Sequence, residues 1–479
     1  MNKLFYLLSF LFIPVCIFGQ TVNEKSLIRF DNLPQVQAYS LYVDEKSGTY
    51  LYSDYDTTSK KTTLYSNKGN SEVYDYINYY GAIFDAEGNY YVTAYNNLTD
   101  TTFIYFMLKN GKEISKFDMM SLNWKDNSGK IYFSCKEGDK SYLAAYDMIS
   151  GNISKGKIYD DVILCSFPKS TGSGDEGDED GEIGFTSGGD PFYIAKANNE
   201  AFLVVGTQEQ KHYADMDTYT FTQDPAGNFV YAAKSSGAFY NDAGNAFIVQ
   251  GTNEYKKFDY IYGPVLFDNS GTAIYIGGDS TATDNPQRVM IGNKEAGKSY
   301  SLGVSNLQLT PNGKLLYIAT ELIKNGDENV SFVVFDGKEG KRYQAIGITR
   351  ILPNSKILYV ATVSDDKQVI VRGNEEIDID QPTILDVDAL QSGELTYISG
   401  KYGDYDKKEK DKFYVHIGDD ELGPFDGAEQ INYDNNEYII SDKSGNYLYL
   451  VTKVTDFKTY TSKEILYSKE GKVGEFDNI

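Results

Sequence analysis

Two kinds of turn alternate along almost the whole chain, and this alternation limits the possible fold more than any other feature. The first kind runs apolar strand, Asp or Asn, a Gly three or four residues on, and a second apolar strand. Phe84-Asp85-Ala86-Glu87-Gly88-Asn89-Tyr90-Tyr91-Val92 is its clearest copy. Others begin at Val43, Trp124, Gln223, Phe267, Thr310, Leu352 and Ser441, with Gly at 48, 129, 227, 271, 313 and 445, and Ser355 in place of Gly in the Leu352 copy. The second kind is a strand, a charged turn containing Gly, and a strand that closes on an aromatic residue followed by Asp. Leu108-Lys109-Asn110-Gly111-Lys112-Glu113 leading to Phe117-Asp118 shows it, as do Gly251 to Phe258-Asp259 and Gly418 to Phe425-Asp426. In the first kind the Asp caps a tight turn, and Gly supplies a positive φ that other residues adopt only at a cost of about 1–2 kcal/mol. Asn-Gly, as at Asn110-Gly111, is the strongest short hairpin signal.

The second turn recurs with its Gly at 69, 111, 151, 206, 251, 292, 337, 373, 418 and 471. Nine steps from Gly69 to Gly471 give a mean period of about 45 residues, and two hairpins per period make four strands, the content of one propeller blade. The expected fold is therefore all-β: a β-propeller built from about ten four-stranded repeats. Ten exceeds the roughly four to eight blades of an ordinary ring. No Pro-, Gly- or Ser-rich linker interrupts the array, so the repeats are expected to form one large ring or two abutted lobes. Composition agrees, with 42 Tyr and 44 Gly against 11 Pro and one Trp, a balance suited to short strands and tight turns. Aromatic-Asp strands near both ends, Phe30-Asp31 and Phe476-Asp477, are expected to meet in one blade.

Phe332-Val333-Val334-Phe335-Asp336-Gly337-Lys338-Glu339-Gly340-Lys341-Arg342-Tyr343, followed by Leu352-Pro353-Asn354-Ser355-Lys356-Ile357-Leu358-Tyr359-Val360, resembles the repeats of bacterial WD40-like, TolB-type propellers, and Leu309-Thr310-Pro311-Asn312-Gly313-Lys314-Leu315 is similar to their inner hairpin. The resemblance is sharp over residues 307–360. It implies the propeller fold and the exported binding or scaffolding roles frequent in that family, but no reaction, because the fold hosts many activities.

The first 19 residues read as a signal peptide: Lys3, an apolar run from Leu4 to Phe18, and Gly19 before the cleavage point. Cys16 lacks the small neighbours of a lipid-attachment site. No later run is long enough for a membrane-spanning helix, so residues 20–479 are expected to be an exported propeller array in the periplasm or outside the cell. Only Cys135 and Cys165 remain there, too few for a disulfide framework; two buried thiols are expected, with a single bridge as the alternative. Lys plus Arg total 45 against 69 Asp plus Glu, a net charge of −24, which repels nucleic-acid phosphates and anionic lipid.

Residues 170–190 interrupt the pattern with a Gly-rich acidic insertion, expected to be a solvated loop. Glu176, Asp178, Asp180 and Gly181 match the spacing of an EF-hand loop, but Ser187 stands where its bidentate Glu belongs, so no metal is expected. Catalytic groups are sparse. His212 and His416 are the only histidines, neither lies near a nucleophile signature, and both are expected to be structural. Beyond Arg29, arginines occur only at 288, 342, 350 and 372, and the turn carboxylates Asp85, Asp259 and Asp268 recur because the turns recur. The expectation is a noncatalytic interaction or scaffold module of the envelope or secretion machinery, without a cofactor, that binds an envelope or extracellular protein. The alternatives are a carbohydrate-active or other hydrolytic propeller and a small-ligand sensor. Tyr79, Tyr80 and Tyr262, read as exposed connector aromatics, are the candidate anchors for such a partner.

Overall fold

The computed structural model describes residues 41–478 apart from 45, 100–101, 126–127, 164–183, 240–241, 281–284, 324–328, 353–354, 391, 405–408, 432–436, 443 and 457–460. Among the described residues there is no helix. The strands form ten antiparallel sheets, each a meander of consecutive strands: residues 41–74, 76–117, 119–159, 161–213, 215–254, 260–295, 303–339, 345–378, 383–425 and 427–478. These are the blades of a multi-blade β-propeller, numbered one to ten below. The chain divides into two compact units, one carrying blades one to four and the other, from Tyr213, blades five to ten.

Three blades hold a fifth strand because their first strand is broken in two. In blade four, Asp161–Ile163 and Gly184–Phe185 both pair with Pro191–Ala197. Blades five and ten repeat the device, with Asp215–Met216 and Thr222–Gln223 on one second strand and Gly427–Glu429 and Ile439–Ser441 on the other. Blade ten draws all its strands from residues 427–478, and Gly471–Asn478, the aromatic-Asp strand at the chain's end, is simply its fourth. The expectation that both ends of the chain meet in one blade concerns a segment near its start. The matching segment at Phe30-Asp31, the expected signal peptide (residues 1–19) and Cys165 lie outside the described residues.

Alternation of side chains along each strand leaves apolar residues on both faces, and the core lies between successive blades. Leu51 and Leu64 of blade one meet Tyr90, Val92 and Leu108 of blade two. Ile274, Ile276 and Val289 of blade six meet Tyr317, Phe332 and Val334 of blade seven. Cys135 is a free thiol in the cluster between blades two and three, where burial pushes its pKa up to about 12.

The turn assignments hold at the level of backbone angle. All ten glycines of the second turn have positive φ, as do those of the first, and Ser355 adopts +58° where its neighbours use Gly. Asn110 (+50°) and Gly111 (+78°) together form the double positive-φ turn that Asn-Gly favours. The Asp caps are equally literal. Asp85 Oδ1 accepts the amides of Glu87 (3.1 Å) and Asn89 (2.8 Å), and Asp268 Oδ1 those of Ser270 (2.8 Å) and Thr272 (2.9 Å).

Two copies of the first turn escape the sequence pattern. Thr186 to Asp190, with Gly189 at +86°, serves blade four, and Leu390 to Glu394, with Gly393 at +87°, serves blade nine. Both lack the opening Asp. The first of them shortens the expected acidic insertion: residues 184–190 are a strand end and a tight turn, and the interruption falls within the first strand rather than between two strands. Ser187 belongs to that turn, while Glu176, Asp178, Asp180 and Gly181 lie outside the described residues.

Two glycines separate backbone strain from close approach. At Gly271 an added Cβ meets only Pro225 Cδ at 3.8 Å; at Gly111 it would land on the Asn70 carbonyl of blade one. Gly271→Ala should lower stability by about 1–2 kcal/mol through strain alone, and Gly111→Ala by at least about 3 kcal/mol, through strain plus overpacking. Urea-unfolding midpoints of the two variants check the order; equal losses would contradict it.

Candidate functional site

Within each blade both Gly turns lie at one end, so the opposite end carries the connector to the next blade and the loop between second and third strands. This connector end is built by an aromatic residue and the residue after it, which is Asp in most copies and Ser301 or Gln344 after Tyr300 and Tyr343. The aromatic ring packs against a ring on the second strand of the following blade: Tyr159 on Tyr193, Phe258 on Tyr275, Tyr300 on Tyr317, Tyr343 on Tyr359 and Phe425 on Tyr449, with centroids 6.1–6.4 Å apart. The Asp then closes a two-point clamp. Asp75 donates its amide to the Tyr95 carbonyl (3.1 Å) and accepts the Asn97 amide (2.7 Å). Asp160 does the same with Lys196 and Asn198, Asp259 with Gly278 and Ser280, and Asp426 with Thr452 and Val454. In blade seven the Ser301 hydroxyl replaces the carboxylate, accepting the Leu322 amide at 3.2 Å.

On blade two the clamp carries a group of rings into solvent. Tyr76 follows Asp75 directly and stands opposite Tyr95, which stands opposite Tyr105; Phe103 is two residues from Tyr105 and so shares its face. Tyr76 stacks on Tyr95 (5.3 Å), Phe103 meets Tyr95 edge-on (5.4 Å), and Tyr105 lies 5.5 Å from Tyr95. Tyr76 is 45% and Phe103 38% exposed, with Leu98 beside them at 65%. Lys61 pairs with Asp75 at 2.6 Å, and this contact, with the Asn97 amide, holds the carboxyl below its ordinary range. Four rings on three strands, half in water and fixed by the ladder beneath, form a rigid apolar surface of the composition enriched in recognition sites.

The aromatic residues named from the sequence fall elsewhere. Tyr79 is buried in the core with Leu51, Leu64 and Tyr74 and offers no surface. It lies inside the strand Tyr76–Phe84 rather than in a connector, two residues from buried Ile77 and so on the same inner face. The side chain of Tyr80 lies outside the described residues. Tyr262 is half-buried, 6.0 Å from Tyr260 and packed against the core of blades six and seven. The residues missed, Tyr76, Tyr95, Phe103 and Tyr105, carried a signal: an aromatic directly after an aromatic-Asp pair, and a Phe-x-Tyr alternation on the third strand.

Both histidines pack on aromatic rings. His212 stacks on Phe202 at 3.9 Å, with Glu200 at 3.0 Å from Nδ1. His416 stacks on Tyr397 at 4.0 Å; its Nε2 lies 2.9 Å from Ser399 Oγ and its Nδ1 3.9 Å from Glu421. This has the membership of a Ser-His-acid triad, but Ser399 is fully buried, so its hydroxyl faces packed protein, and Glu421 is beyond hydrogen-bond reach of Nδ1.

A second polar group joins the first strands of blades seven to ten. Asn306 and Gln308 both donate to Thr349 Oγ1. Arg350 lies 3.3 Å from the buried Asp386, which also accepts the amides of Val387, Tyr438 and Ile439. Burial pushes the carboxyls of Asp386 and neighbouring Asp388 upward. Paired carboxylates of shifted pKa suit hydrolysis, yet four donors occupy Asp386, which acts as a tie between three blades. Among the described residues no group of three or more His, Cys, Asp or Glu is placed to hold a metal ion, and no helix is long and apolar enough to cross a membrane.

No protein-family model matches the chain, and no curated protein sequence matches it either. Solved structures similar to it include a eukaryotic initiation factor (10% identity over 78% of this chain and 93% of that one, TM-score 0.36). An oligogalacturonate lyase in complex with manganese aligns at 10% identity over 70% and 93%, TM-score 0.29. TolB from Acinetobacter baumannii aligns at 12% identity over 63% and 77%, TM-score 0.23. The assignment of propeller blades rests on strand order and register, not on these likenesses.

Burial also holds the His416 imidazole below its ordinary value of 6.5. Between that lowered value and 6.5 the unfolded chain binds more protons than the folded one, so stability is lost as pH falls below 6.5. Replacing His416 with Gln should flatten this part of the stability-against-pH curve relative to wild type. An unchanged slope would show that the imidazole titrates freely.

Proposed function

We propose that the protein is an exported, noncatalytic propeller that binds a protein of the cell envelope or extracellular space, and that the exposed ring group of blade two is its contact surface. The observation that carries this reading is the group itself: Tyr76 and Phe103 hold large apolar area in water on a scaffold that fixes them in place, which lowers the entropy lost on binding. Isolated exposed apolar residues are ordinary, whereas a cluster of four rings is not. The leader-like first 19 residues support export. The −24 charge keeps the array soluble and turns it away from polyanions. The buried Ser399 and the saturated Asp386 support a noncatalytic role, because each spends on the fold a group that chemistry would need.

The test begins with cross-linking of the purified chain in envelope extract and identification of the partner, followed by titration of the purified pair. Tyr76→Ala with Phe103→Ala should weaken binding by at least about tenfold, the range of aromatic hot spots, while Tyr219→Ala, which removes an exposed ring in blade five, should leave it unchanged. Equal affinity for wild type and the double variant would overturn the choice of surface. Saturable turnover of an ester, peptide or glycan panel that survives repurification would overturn the noncatalytic reading.

A further inference from the structure

Three tight turns of blades five and six, residues 224–228, 250–253 and 268–272, enclose an open cleft of ≈ 590 Å³. Its floor is Gln250, whose amide is fully used. Nε2 donates to Asp224 Oδ2 (2.7 Å) and the Gly271 carbonyl (2.6 Å), and Oε1 accepts the Ala273 amide (3.0 Å) and the Tyr255 hydroxyl (2.7 Å). Half-buried Tyr255 lines one side, its ring parallel to that of Tyr275 at 6.2 Å. These bonds join both blades, so the cleft is preformed.

What it offers a ligand is neutral. Asp224, the one charged residue of the lining, is buried and saturated by the amides of Ala226 and Asn228 and the side chains of Asn228 and Gln250. At the rim, exposed Thr252, Asn253 and Asn269 keep their side-chain hydrogen-bonding groups unspent among the described residues. We propose that this cleft binds a segment of neutral oligosaccharide. Amides and hydroxyls both donate and accept, matching the alternating demands of sugar hydroxyls, and an adjacent tyrosine suits the apolar face of a pyranose ring. The lining holds no cation to attract an anion and no free carboxylate to hold a cation. The volume lies within the roughly 300–1,000 Å³ of small-ligand sites. This inference is independent of the protein-binding surface on blade two.

The experiment is isothermal titration of the full mature chain with neutral hexasaccharides of glucose, of mannose and of N-acetylglucosamine, and with a hexasaccharide of uronic acid as the charged counterpart. At least one neutral probe should saturate with a Kd of about 1 mM or tighter. Asn253→Ala with Asn269→Ala, both on exposed turns, should weaken it by about tenfold, and the uronic acid probe should bind at least about tenfold more weakly than the neutral one. The Tyr76→Ala, Phe103→Ala variant should bind the sugar as wild type does, which separates failure here from failure of the protein-binding reading. Absence of saturation with all neutral probes, equal affinity for the charged probe, or an affinity unmoved by the Asn253 and Asn269 changes would overturn the proposal.

Discussion

After Tyr74, Tyr159, Phe258 and Phe425 the end of one blade holds the next through an aromatic ring and an aspartate, and the connector end is organised by that grip. The ring removes apolar area from water between the blades. One residue later the aspartate amide and carboxylate bond the carbonyl and amide at the end of the neighbouring second strand, groups left over where the ladder stops. The ring contact recurs from Tyr159 to Phe425, while Ser301 and Gln344 stand in place of the aspartate after Tyr300 and Tyr343. Where present, this contact docks neighbouring blades of one unit at the connector end, while Gly turns close the other end, where Tyr90 donates to the Gly69 carbonyl across blades one and two.

This division leaves the two ends with different freedom. Turn ends are confined to positive-φ residues and to close backbone approach, as at Gly111. Connector ends need only the clamp, so residues just beyond it can vary, and Tyr76 stands directly beyond one such clamp. Polar groups that resemble chemistry elsewhere are consumed by the fold: Ser399 by His416, Asp386 by Arg350 and three amides. The cleft at the turn ends of blades five and six differs in keeping neutral hydrogen-bonding groups unspent at its rim.

Strand content, period and turn chemistry were legible because each depends on local backbone physics. Positive φ demands Gly, a capped turn wants Asp, and Ser355 was recognised in a Gly position by its spacing alone. The turns at Thr186 and Leu390 escaped because neither carries an Asp or Asn ahead of its Gly, whereas the copies at Thr310 and Leu352 keep Asn312 and Asn354. The aromatic surface was less legible. Whether a tyrosine faces solvent depends on where the strand begins and which face is buried, and with the strand starting at Tyr76 alternation puts Ile77 and Tyr79 in the core and Tyr76 outside. Asp386 was invisible among 69 acidic residues, since only the fold brings Arg350 and Tyr438 to it.

Where it occurs, the aspartate clamp, and not the ring alone, docks one blade on the next. Equilibrium urea unfolding of Asp160→Ala, Asp259→Ala and Asp426→Ala, each beside its Asn counterpart, tests it most directly. The account predicts a lower unfolding midpoint for each alanine variant, because the strand-end amide loses its charged acceptor, and partial recovery with Asn, whose carbonyl still accepts. Unfolding curves that superimpose on wild type for all three alanine variants would contradict it.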